Sequence, residues 1–191
     1  MMKYSNAWHL RDIILLTLIA IFFGVIYWVV GPVYNILTVA LTPVGLGPAA
    51  NDILMGVWVM AGPLAGYLFK KIGSATLGEF LGAVVEMFLG GQWGASTMIS
   101  GVVQGIASEL GFAFTGYKRY DWFSLNLSVL TTTIVTFGWD MIRNGYAQYH
   151  VGLLIALFVI RLVSTWIFAG VLVKAIVKLL DRTHLMETRT R

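Results

Sequence analysis

Two apolar runs of membrane length, residues 74–90 and 94–116, carry Glu79, Glu86, Gln104 and Glu109. An ionisable group at the centre of a bilayer costs about 3 kcal/mol or more, so it persists where it faces a protein interior or a polar cavity. These groups stand in helical register. Glu79, Gly82, Ala83 and Glu86 follow the i, i+3, i+4, i+7 spacing and form one stripe. Gly101, Gln104, Gly105 and Ser108 repeat the pattern, with Glu109 beside them. Two acid-bearing helices lined by small residues are expected to face each other around a polar site.

The rest of the chain fits that constraint. Of its 191 residues 58% are hydrophobic and 12% charged, against about 25% charged in soluble domains. One integral membrane domain, 1–191, is expected. With no cysteine, a disulfide framework and a Cys-based metal site are excluded. A net charge of +4 would suit nucleic acid. The basic residues, however, lie mostly at the ends of apolar runs, so topology accounts for them and no nucleic-acid partner is expected. The run 13–30 exceeds the h-region of a signal peptide and reads as a first membrane helix.

The fold class expected is all-α, a polytopic bundle of six transmembrane helices at about 11–31, 51–70, 74–90, 95–116, 123–144 and 150–180. Pro32, Pro43 and Pro48, with Gly45 and Gly47, are expected to break the chain between the first two spans. That apolar connection either dips into the membrane or lies on its surface. Lys3, Arg11, Lys70, Lys71, Lys118, Arg119, Lys174, Lys178, Arg182, Arg189 and Arg191 fall on one side. By the positive-inside rule both termini are cytoplasmic in the cell membrane. Counting depth at about 1.5 Å per residue brings Trp58, Glu86, Gln104 and Asp140 together near the outer face.

Candidate chemistry follows from depth. Glu86, in the outer half, suits a cation or N–H donors; a structural hydrogen bond is the alternative. Gln104 can donate and accept, toward a heterocycle edge or a neighbouring helix. Asp140 either meets ligand or caps the bundle. Trp58 and Trp139 are candidates for stacking on a flat cation beside an acid. Most other Trp and Tyr residues, Tyr34 and Trp93 among them, read as membrane-interface belts. Arg161 is expected to pair with Glu109 or Glu79. Ala20 and Gly24 permit close helix approach, inside the bundle or with another subunit. There is no Walker A sequence, so this chain does not itself use ATP by that route. His9, His150 and His184 lack metal-site spacing, and no cofactor is expected.

Taken in order, Gly56-Val57-Trp58, Gly73-Ser74-Ala75, Glu79, Ala83-x-x-Glu86, Leu89-Gly90, Gly101-x-x-Gln104-Gly105 and Glu109 resemble the S component of energy-coupling-factor (ECF) vitamin transporters. The resemblance is strongest to the YkoE-type branch, associated with thiamine or its hydroxymethylpyrimidine precursor. Asn35, Pro43, Asp140, Gly145-Tyr146-Ala147, Tyr149, Val159-Ile160-Arg161-Leu162 and Ala169-Gly170 extend it across nearly the whole chain. The resemblance implies a non-enzymatic binding subunit with a vitamin pocket near the outer face. It also implies a membrane T component and two cytoplasmic ATPases as partners. An A-x-x-x-A element on helix one meets the T component in that family; Ala20 and Gly24 hold those positions here. The expected substrate-binding set is Trp58, Glu86, Gln104, Trp139, Asp140 and Tyr146. An S component for riboflavin, an intramembrane enzyme using the buried glutamates, and a proton-coupled carrier acting alone are the competing readings.

Overall fold

The computed structural model describes residues 7–182; Lys3, His184, Arg189 and Arg191 lie outside the described residues. The described chain is helical throughout, in six passes. The first pass is α1 (Leu10–Leu41). The second is split into α2 (Ala49–Trp58) and α3 (Ala61–Phe69). Then come α4 (Ser74–Phe88), α5 (Ser96–Ala113) and α6 (Trp122–Arg143). The last pass joins α7 (Val151–Thr165) through a π-helical segment, Trp166–Leu172, to α8 (Val173–Arg182). α4 packs between α1 and α5, α6 lies against α5, and α2 lies against α7. The α4–α5 and α6–α7 turns mark one end of the bundle, opposite the chain termini.

Two expectations about chain breaks are corrected. Pro32 does not end the first helix, which runs on through it to Leu41. A proline removes one i→i−4 bond, whereas unravelling an apolar segment would expose many backbone groups to lipid. Thr38 and Thr42 hydroxyls donate to the Tyr34 and Thr38 carbonyls as the helix ends. Pro43 then sits in a 3₁₀ turn closed by Gly45 at φ +75°, a conformation that favours glycine. The second pass, expected as continuous, breaks at Val59–Met60. Helix ends inside a membrane leave amides that need acceptors. The Ala61 amide donates to the Tyr27 hydroxyl at 3.0 Å, and the Gly62 amide to Glu79 Oε2 at 2.7 Å. Pro63, in the first turn of α3, has no amide to satisfy.

α4 is short because its start is fixed from outside. The amides of Gly73, Ala75 and Thr76 converge on the Glu109 carboxylate of α5 at 2.7, 2.9 and 3.1 Å. The start of α6 is capped locally instead. Asp121 accepts from the Ser124 amide, and Ser124 Oγ accepts from the Asp121 amide, both at 3.1 Å.

The small residues of α1 are used inside the bundle. A Cβ at Gly24 would stand 2.5 Å from Val85 Cβ and 2.8 Å from the Gly82 carbonyl of α4. Ala20 is 1% exposed. The pair assigned to a T-component contact is therefore covered by α4, and close packing within the chain is what it serves.

Candidate functional site

A half-enclosed cavity opens between α1, α2, α4, α5 and α6 toward the α4–α5 end, with about 700 Å³ of space including its mouth. Five of the six candidate residues line it: Trp58, Glu86, Gln104, Trp139 and Asp140.

One wall is aromatic. Trp58 of α2, Tyr34 of α1 and Trp93 of the α4–α5 turn form a mutual cluster. Their ring centroids are 5.8 Å (Tyr34–Trp58), 5.5 Å (Tyr34–Trp93) and 5.2 Å (Trp58–Trp93) apart. Trp58 is anchored by its indole N–H, which reaches the Tyr27 carbonyl at 3.4 Å. Trp93 is held in place through its neighbour. Gln92 Oε1 accepts from Asn35 at 2.8 Å, and Gln92 Nε2 reaches the Gly31 carbonyl at 3.4 Å. Tyr34 and Trp93, read from the sequence as belt residues, are cavity walls.

Opposite stand the polar groups. Glu86 is 4% exposed, yet among the described residues no donor lies within hydrogen-bond distance of its carboxylate. Among the described residues the Gln104 amide makes only a long contact, 4.0 Å, to Met55 Sδ, which leaves both its ends with capacity. Trp139 donates to Ser100 Oγ at 3.3 Å. Arg143 donates to Ser100 Oγ as well, and to Ser96 Oγ at 2.8 Å.

Asp140 lines the cavity but is already occupied. Its Oδ2 accepts from Arg161 at 2.5 Å and from Asn51 at 2.8 Å, and its Oδ1 from Asn144 at 2.8 Å. The expected pairing of Arg161 with Glu109 or Glu79 is therefore wrong. Arg161, 0% exposed, bridges Asp52 at 2.6 Å and Asp140, and its Nη1 reaches Thr136 Oγ1 at 3.3 Å. Counting Cα depth misled here. Side chains on a helix lean toward its N-terminus. Arg161 therefore reaches from α7 toward the α6–α7 turn, while Asp140 on α6 leans down to meet it.

Tyr146 does not line the main cavity. It borders a shallower depression next to it, with Tyr149, Thr38 and Thr42. Its hydroxyl lies 2.9 Å from Asp52 Oδ2 and 3.2 Å from Asn51 Nδ2, so it braces the Arg161 cluster. Asp52, Asn51 and Arg143 were missed from the sequence. Asp52 offered a signal, an acid one turn into an apolar helix.

Among the described residues no group of three His, Asp or Glu side chains is placed to hold a metal ion.

A half-enclosed, aromatic-walled cavity at one end of a six-pass helical bundle defines a solute-binding membrane subunit. Residues 11–135 match the family described as "ABC-type cobalt transport system, permease component". The chain is 32% identical over 171 residues to the "Putative HMP/thiamine permease protein YkoE" of Bacillus subtilis (strain 168), covering 90% of this chain and 83% of that one. A solved structure described as "Crystal structure of an S-component of ECF transporter" superposes with a TM-score of 0.89. It is 31% identical and covers 96% of this chain and 91% of its own. The chain belongs to the S components of ECF transporters, a family of multi-pass membrane transport subunits and not of enzymes.

Proposed function

We propose that this S component binds thiamine or its hydroxymethylpyrimidine precursor, with thiamine the better fit. The observation that carries the reading is the Glu86 carboxylate, buried in an aromatic-walled cavity with no donor among the described residues. Such a group calls for a cation or for N–H donors from a ligand. Arg161 is taken up by Asp52 and Asp140, so Glu86 is the acid left to face a cationic ring. Thiamine is flat, permanently cationic and bears an aminopyrimidine. Trp58 and Trp93 offer π faces to it, and Gln104 offers both a donor and an acceptor to a ring nitrogen and amino group. The name of the Bacillus relative points the same way.

In this reading the cavity faces outward and both termini are cytoplasmic. The basic residues Arg11, Lys70, Lys71, Lys118 and Arg119, at the terminal end of the bundle, support that orientation. The chain hands its ligand inward with a membrane T component and cytoplasmic ATPases.

The test is equilibrium binding to the detergent-purified chain, comparing thiamine, hydroxymethylpyrimidine and riboflavin, with Glu86→Gln alongside. Thiamine binding weakened about tenfold or more by the substitution is expected, since charge-assisted bonds contribute about 1.5–3 kcal/mol. Unchanged affinity in Glu86→Gln would falsify the assignment.

A further inference from the structure

One corner of the cavity is rich in donors and short of acceptors. Ser100 Oγ receives N–H groups from Arg143 and from Trp139, and among the described residues its own proton has no acceptor. Thr97, one turn earlier on α5, lines the same cavity and is 7% exposed. Its hydroxyl is buried without any hydrogen-bond partner among the described residues. Ser96 Oγ accepts from Arg143 and donates to the Trp93 carbonyl. All three hydroxyls sit in the first two turns of α5, where the helix dipole is positive. An unpaired buried hydroxyl and a hydroxyl that only receives donors are both costly unless something else accepts from them.

We propose that this corner is an anion subsite for a phosphate monoester carried by the ligand, with Arg143, Ser100 and Thr97 as its donors. Guanidinium and hydroxyl donors around a positive helix end complement phosphate oxygens. The counter-charge for the cationic rings comes from elsewhere. Glu86 projects from α4, and α5 lies between α4 and α6, which carries Arg143. The cavity is thus dipolar, with an acid toward α4 and a cation toward α6. A phosphorylated cationic ligand has the matching polarity. This rests on the thiamine reading above and extends it to the phosphorylated form.

The experiment titrates the full chain in detergent with thiamine, thiamine monophosphate and inorganic phosphate, with and without added phosphatidylglycerol. Wild type, Arg143→Gln and Thr97→Val are compared. The ester is expected to bind wild type at least as tightly as thiamine. Arg143→Gln should weaken the ester about tenfold more than it weakens thiamine. Thr97→Val, nearly isosteric and not expected to disturb folding, should shift the same ratio in the same direction by a smaller factor. Inorganic phosphate should compete with the ester more than with thiamine. Thiamine binding with the ester rejected, or equal weakening of both ligands by the substitutions, overturns the subsite and leaves the thiamine reading intact. An ester preference abolished by phosphatidylglycerol assigns the corner to a lipid headgroup and overturns the soluble ester as its occupant. Binding of neither ligand overturns both proposals.

Discussion

Replacing Arg161 by Met should destabilise the bundle more than any cavity-lining substitution. The guanidinium is fully buried and holds Asp52 of α2, Asp140 of α6 and the hydroxyl of Thr136. Methionine fills much of the volume but leaves two carboxylates buried without their cation. Breaking a buried pair this way costs about 3–5 kcal/mol. For a chain of this length each kcal/mol moves the melting midpoint by about 2–4 °C, so a fall of about 6–20 °C is expected. The assay is thermal unfolding in detergent, followed by near-UV circular dichroism and by size-exclusion recovery. The penalty comes from stranded charge, so Arg161→Met combined with Asp52→Asn should recover part of the loss, a coupling of about 1–3 kcal/mol. A single variant melting within about 1 °C of wild type would refute the argument that this cluster clamps α2 to α6 and α7. So would a double variant that shows no recovery. In either case the cavity wall would have to be held by apolar packing alone.

Three other outcomes follow from the geometry. Gly24→Leu should lower the melting midpoint and the folded yield, because the new side chain meets Val85 and the Gly82 backbone; wild-type behaviour would return the α1 stripe to an intersubunit role. Glu109→Ala removes the acceptor for three amides at the start of α4. It should cost about 1–2 kcal/mol and speed hydrogen exchange at residues 73–76, leaving α6 unaffected. Trp93→Ala should weaken thiamine by about tenfold and cost about 1–3 kcal/mol of stability, since it removes two aromatic contacts along with one wall of the cavity; equal loss for an unrelated cation would mark the effect as nonspecific.

What the sequence revealed depended on whether a residue's role was set by its own helix. The spacing Glu79-Gly82-Ala83-Glu86 carried a helix, its buried face and its acids together, and the short third pass was legible from length. Trp58, Glu86, Gln104, Trp139 and Asp140 reach one cavity because depth along alternating helices is simple arithmetic. The misses depended on partners from other helices. Tyr34 and Trp93 sit at interface depth, where a belt and a cavity wall have the same composition; only the Gln92–Asn35 link turns Trp93 inward. Arg161 needed the direction of its side chain as well as the height of its Cα. The break at Val59–Met60 was half visible in Gly62-Pro63, but its acceptors lie on α1 and α4.

The five intramembrane acids look alike in sequence, and the fold separates them by the supply of donors. Every helix that starts within the membrane leaves amides that lipid cannot satisfy. The split second pass creates one such start, and Glu79 accepts there. The third pass starts beside Lys70 and Lys71, at the terminal end of the bundle, and Glu109 accepts from its first amides. The buried cation on α7 occupies Asp52 and Asp140. Each acid is thereby assigned to a donor that the backbone or Arg161 had to find a partner for. Glu86 is left over: among the described residues no amide or side chain donates to its carboxylate, and Arg143, across the cavity, is engaged with Ser96 and Ser100. A carboxylate that the protein has no structural use for, retained in a cavity walled by indoles, is most simply kept for something that arrives from outside the chain. The same reasoning predicts that Glu86→Gln, alone among neutral substitutions of the five acids, leaves the melting midpoint of the ligand-free protein unchanged or raised.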